Sequence, residues 1–469
     1  MSTHPEDPAG GTAAPTRGEP GPSAPGPSAP GPNNAATPEL VALTRRALSG
    51  ELAGANLEAL HAPGWELSGA TLTDVDLRRA DLRGARLTDV DLSGANLAFA
   101  DLSGATLVRV RLDGTRLPGC LLHGATLTDV LVHEADLNLV ELTGATLTDV
   151  RFVGAGSPVA ADLRGVDLSH ARLTRVRFED VSLAGARWVR ARLEDVELLR
   201  VRAPRLEWSH TAVERVSVVD GRFDEASLVG VTGVELSLDR CWVRDSRWKG
   251  VALTGLRLTD TRLDASRFVG CNLRDVWFAH VSLASVPGAS VPGASVPGAS
   301  VSLADCTLER ARLEQVDLTG VRVRGGSWQD VAVDRCAAAG LSFEATRVRR
   351  VDLLTCDVDG STFTGLSGSD LRLHRATAHA LSLRGCDVTR LRLELCHAEQ
   401  ASIIGNTLPD ATFLDTDLGR ATVTGNGFAG AAFLRCSLRS GELEDADHAV
   451  FSETILPLGE RTPEAPGEL

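Results

Sequence analysis

Ala80-Asp81-Leu82-Arg83-Gly84, Ala95-Asn96-Leu97 and Ala100-Asp101-Leu102-Ser103-Gly104 are copies of one five-residue unit. With the large residue placed at i, a small one (Ala, Val, Thr or Cys) stands at i−2, and polar residues fill i−1, i+1 and i+2. Leucine or another large apolar residue then recurs at every fifth position from Leu57 to Phe152, and again, after one change of phase, from Leu163 to Leu443. A straight strand alternates faces with period two, so an odd period would turn successive large residues to opposite faces. A continuous helix fails as well, since five residues at roughly 100° each set successive leucines about 140° apart, with no single apolar stripe.

The remaining solution is a short extended piece from i−2 to i, followed by a two-residue turn at i+1 and i+2. A type II turn wants Pro first and Gly second. Pro63-Gly64 and Pro118-Gly119 fit those two places, and Pro204 and Pro409 also fall at i+1. Right-angled corners close a coil after four units, and stacked coils pair their backbones about 4.8 Å apart.

The pattern resembles the pentapeptide-repeat family, whose consensus Ala-Asp/Asn-Leu-x-x recurs between Ala55 and Val150. The resemblance implies an all-β fold, a right-handed four-sided parallel β-helix with i and i−2 inside. A solenoid grows by adding repeats and needs no second core, so 469 residues fit one array. Roughly 75 units would make about 18 to 19 coils and a rod about 85 to 90 Å long.

Composition divides the chain. Residues 1–36 are rich in Pro, Gly, Ser and Ala, which predicts a disordered tail. Thr37-Pro38-Glu39 offers an N-cap, a Pro at the first helical position and an early acid, so 37–50 should be a helix capping the open end. Three β-helix runs follow at 51–153, 162–283 and 303–448. They are separated by a loop at 154–161 and by 284–302, where Ser285-Val286-Pro287-Gly288-Ala289 is repeated in three copies and is read as a loop rather than a weak coil. Residues 449–469 should form a C-terminal cap, or a homodimer contact, and an acidic tail. The expected location is cytoplasmic, since there is no secretory signal or membrane-length apolar run.

All nine cysteines, Cys120, Cys241, Cys271, Cys306, Cys336, Cys356, Cys386, Cys396 and Cys436, fall at i−2. That regularity predicts buried, reduced spacers. Trp188, Trp208, Trp248 and Trp328 fall at i and should be core. There is no phosphate-cradling loop, no His-Glu-x-x-His, no Cys-x-x-Cys and no nucleophile elbow. No enzyme activity, cofactor or metal site is therefore expected.

Charge is the remaining lead within a net −14, because residues 51–152 carry roughly −7 and residues 162–283 roughly +2. Arg202, Arg222, Trp242 and Arg262 lie at i−1, twenty apart, which predicts one outward ladder. Arg257 and Trp277 belong to one neighbouring face, Arg247 and Arg267 to the other. Stacked like charges repel, and outward Trp is unusual, so these residues form the candidate partner-binding patch. A plain cation–π brace around Trp242 is the structural alternative. The leading functional reading is a non-enzymatic scaffold that binds a protein partner. The family resemblance implies an alternative, a DNA mimic acting on a type II topoisomerase and protecting it from quinolones or toxins. Direct nucleic-acid binding through the patch is a third reading, opposed by overall acidity.

Overall fold

A computed structural model of the chain describes residues 37–154, 162–283, 301–446 and 448–456. The readings made for the N-terminal tail, for both loop segments and for the acidic end lie largely outside those residues. Within them the chain is a parallel β-solenoid of about 18 turns with one short helix. Each coil pairs in register with the residue twenty places on, as in Glu66↔Arg86 and Leu67↔Leu87. We name the four faces by their buried columns: A from Leu52, B from Leu57, C from Ala62 and D from Leu67, so that A lies opposite C.

Three offsets depart from twenty; the last, from Ala432 to Val450, is eighteen. Thr146 pairs with Arg172 and Arg151 with Arg177, so six residues are added between these coils. Arg267 pairs with Ser302 and Trp277 with Arg312, which adds fifteen. The columns continue unshifted on either side.

The corners take two forms where the sequence suggested one. In the closed form the i+3 amide donates to the carbonyl of i, as from Ala80 to Leu77 at 3.1 Å. Pro63, Pro118, Pro204 and Pro409 all sit in closed corners. In the open form i+1 stays in the strand, giving three-residue strands such as Glu66–Ser68, or eight-residue strands such as Ala212–Val219 that cross a corner. Both forms place i+2 in the left-handed region, for example Asp74 at 56° and Asp89 at 55°.

An open corner leaves the carbonyl of i and the amide of the next i−2 residue without each other. At some open corners a polar i−2 side chain of the following coil takes both. The Asn406 amide accepts from the Cys386 N–H at 2.8 Å and donates to the Leu383 carbonyl at 3.0 Å, and Asn426 repeats the arrangement one coil later. Thr416, Cys336, Cys356 and Cys396 donate in the same way to carbonyls 23 residues back. The nine cysteines are buried and unpaired, but these contacts make several of them more than spacers. Burial pushes the Cys241 thiol up to about 12, so it stays protonated and able to donate. Replacing Asn406 with Leu should cost about 2 kcal/mol, because two buried backbone groups lose their partners; urea unfolding of the variant measures it.

The i column is less uniform than its sequence reading. Gly233 and Gly368 occupy i on face D, and Ala338, Ala378 and Ala398 occupy it on face B. Large rings on neighbouring faces fill the space: Trp208 and Trp248 line a small cavity of about 20 Å³ in the coils around Gly233. Trp188, Trp208, Trp248 and Trp328 are buried as expected.

The helix Pro38–Leu48 closes the first coil. Thr37 caps it by accepting from the Leu40 amide at 3.3 Å, and Leu40, Leu43 and Ala47 pack on the core. Trp65 fills the i−2 slot before Leu67, and its indole donates to Thr44 on the helix at 2.9 Å. Among the described residues no helix is long and apolar enough to cross a membrane.

Candidate partner-binding site

Face B forms regular strands in only three coils among the described residues: Arg222–Asp224, Trp242–Arg244 and Arg262–Asp264. Elsewhere its corners are closed, and i+1 turns away into the bend. In these three coils the corner is open, so i−1 and i+1 both face outward from one flat sheet. Ser246 and Ser266 line the inner side of this platform; their hydroxyls meet at 2.8 Å, and Ser246 accepts from the Trp248 indole at 2.9 Å.

The register sets Arg222, Trp242 and Arg262 in one column, with Arg202 bridged below Arg222. The Arg222 and Arg262 guanidinium carbons lie 5.2 and 5.3 Å from the Trp242 ring centroid, so the indole is held between two cations. Trp242 nevertheless remains 46% exposed. The parallel column is Asp224, Arg244 and Asp264. Arg244 approaches Asp224 at only 3.9 Å. Burial raises the Asp264 carboxyl, and one of its oxygens has no hydrogen-bond partner among the described residues.

The remaining patch residues are separated by the fold. Arg257 and Trp277 are in register on face A, and Arg247 and Arg267 on face C, on the opposite side of the coil. A flat partner on face B therefore reaches the Trp242 platform and one flank, not both. None of Arg202, Arg222, Arg247, Arg257, Arg262 or Arg267 forms an ion pair among the described residues. The corners next to face A are the contrast. There Arg109, Arg175, Arg215, Arg310, Arg350 and Arg390 each bond the aspartate of the preceding coil. The Arg390 guanidinium holds the Asp370 carboxyl at about 2. Sequence reasoning found the ladder through its period of twenty; the open corners that flatten it carry no signal in that period. Among the described residues no cluster of His, Cys, Asp or Glu is arranged to hold a metal ion.

The family model described as pentapeptide repeats matches the chain in 8 copies, over residues 51–89, 85–124 and 161–198. Among solved structures, HetL, a pentapeptide repeat protein involved in heterocyst differentiation regulation from the cyanobacterium Nostoc sp. strain PCC 7120, is 22% identical. That match covers 48% of this chain and 94% of HetL, with a TM-score of 0.28. Full-length QnrB1, a plasmid-mediated fluoroquinolone resistance protein, is 14% identical over 55% of this chain and 94% of its own, with a TM-score of 0.20. Rfr23, from the cyanobacterium Cyanothece 51142, is 22% identical over 32% of this chain and 99% of its own, with a TM-score of 0.17. No curated protein matches the chain.

Proposed function

We propose, from the premise that this chain belongs to the pentapeptide-repeat family, that it is a non-enzymatic scaffold whose face B docks a protein partner on the Trp242 platform. The observation that carries this reading is an exposed indole clamped between two arginines that have no acidic partners of their own. Arg and Trp dominate the anchoring positions of protein interfaces, because each brings a large rigid surface together with a polar handle. Pre-stacking Trp242 on its neighbours removes much of the ordering entropy that an exposed side chain would lose on binding.

The DNA-mimic reading, with a type II topoisomerase as partner, draws support from the acidity of residues 51–152. It has less from the middle coils, where unpaired arginines present the opposite sign to a phosphate backbone. Affinity capture from the native host, with the wild-type chain and with Trp242→Ala, tests the platform. The expected result is loss of at least one recovered protein and a drop in its affinity of about tenfold to a hundredfold, the range for a central aromatic anchor. Identical partners at identical affinity would make the indole a structural brace and end the reading.

A further inference from the structure

The outward i−1 column of face C is one ladder from His61 to Glu442. Six of its charges are antisymmetric about Glu207, while Arg187 and Asp81 fall opposite Ser227 and Ser342. Two, three and five rungs towards the helix stand Asp167, Glu141 and Asp101; two, three and five rungs the other way stand Arg247, Arg267 and Arg322. We propose that face C is a self-association surface, on which a second copy of this chain lies antiparallel about a two-fold axis through the Glu207 rung.

A half-turn about an axis lying across the face keeps each column opposite itself and reverses its direction. It sets Asp167 against Arg247, Glu141 against Arg267 and Asp101 against Arg322, and symmetry makes every pair twice, as an isologous contact requires. In the i+1 column of the same face Val189 and Val229 stand one rung either side of Ser209, while Lys249 and Arg324 have no acidic counterpart. The one like-charged meeting is Glu207 with its own copy, and each Glu207 keeps Arg187 at 3.3 Å.

The groups are available. Arg247, Arg267 and Arg322 are exposed and have no ion pair among the described residues. On the acidic half Asp101 meets Arg83 only at 3.8 Å, Asp167 meets Arg187 at 3.6 Å, and Glu141 holds the imidazole of His123 at 3.0 Å. At the edge between faces C and D, Gly104, Gly124, Gly144, Gly230, Gly250 and Gly270 occupy left-handed corner positions on the outer rungs, while His170, Arg190 and His210 stand there at the centre. Thirteen rungs at about 4.8 Å, on a face roughly 10 Å wide, bury about 600 Å² per copy. That is below the roughly 800 Å² per partner of a standard stable interface, so the dimer is reversible. The contact does not involve Trp242 and stands or falls separately from the face B reading.

Sedimentation velocity of the full chain, across about 1 to 200 µM at moderate salt, is the experiment, and it should show a monomer–dimer equilibrium. Arg247→Glu with Arg267→Glu should raise the dissociation constant by about a hundredfold, and Glu141→Arg with Asp167→Arg should do the same. Mixing the two variants should restore the dimer as a heterodimer, because every altered contact then becomes attractive. Far-ultraviolet circular dichroism checks that both variants fold. A wild-type chain that stays monomeric, variants that dimerise unchanged, or a mixture that stays monomeric would each overturn the proposal.

Discussion

Gly368→Ala should unfold the coils around it, with a loss of about 4 kcal/mol or more, at the upper end for single substitutions. Gly368 has φ +132, a conformation that residues with a side chain rarely adopt, and a Cβ built there would lie 1.9 Å from the Val348 carbonyl oxygen of the preceding coil. That oxygen belongs to the ladder pairing residues 347–354 with 367–374, so it cannot retreat without breaking rungs. Gly233 is the same case, with φ +148 and a Cβ 1.8 Å from the Val213 oxygen. In a solenoid each coil is stabilised mainly by its two neighbours, so the defect should divide the array into separately melting halves. Urea unfolding followed by hydrogen exchange reads both consequences. A single unchanged transition would contradict the geometry.

Ala47→Glu should unseat the helical cap. Ala47 has no exposed surface, lies against the first coil, and its carbonyl accepts from the Thr71 amide at 3.4 Å. A carboxylate there has no partner to offset its desolvation, which costs several kcal/mol or expels the helix. Expulsion also strips Trp65 of its bond to Thr44 and uncovers the first rung of every face, an open strand edge. The expected result is a thermal midpoint lower by about 5 °C or more with concentration-dependent aggregation, measured by scanning fluorimetry with light scattering. Ala47→Ser, nearly the same size, should keep the cap and separate charge from shape.

The period of five showed most of this architecture because burial is a strong and simple constraint. One large residue must enter the core per side, and Leu82, Phe178 and Trp248 do so. The capping helix was equally legible, from Thr37, Pro38 and the spacing of Leu40, Leu43 and Ala47. The form of each corner was not. Open and closed corners share the same left-handed i+2 residue; at some open corners a side chain such as Asn406 in the next coil takes the freed backbone groups, whereas those after Leu87 and Leu107 have Val110 and Val130 in that place. That contact spans 20 to 23 residues and leaves no local mark. The candidate patch was visible as a column of Arg and Trp, while its flatness and its division between faces A, B and C depend on those corners. The antisymmetry of face C passed unread for a related reason: the six- and fifteen-residue insertions shift the numbering of rungs that the folded chain keeps aligned.

The fifteen residues by which the Arg267–Ser302 pairing exceeds the usual twenty match the length of three Ser-Val-Pro-Gly-Ala copies, and the columns above and below join as though the copies were missing. Slippage in a tandem stretch of coding sequence would change the number of copies, while the pairings described on either side already hold across an offset of 35. The same site is a ready port for grafting: a tag, an epitope or a small guest domain spliced there would ride on the shaft while every neighbouring coil kept its place.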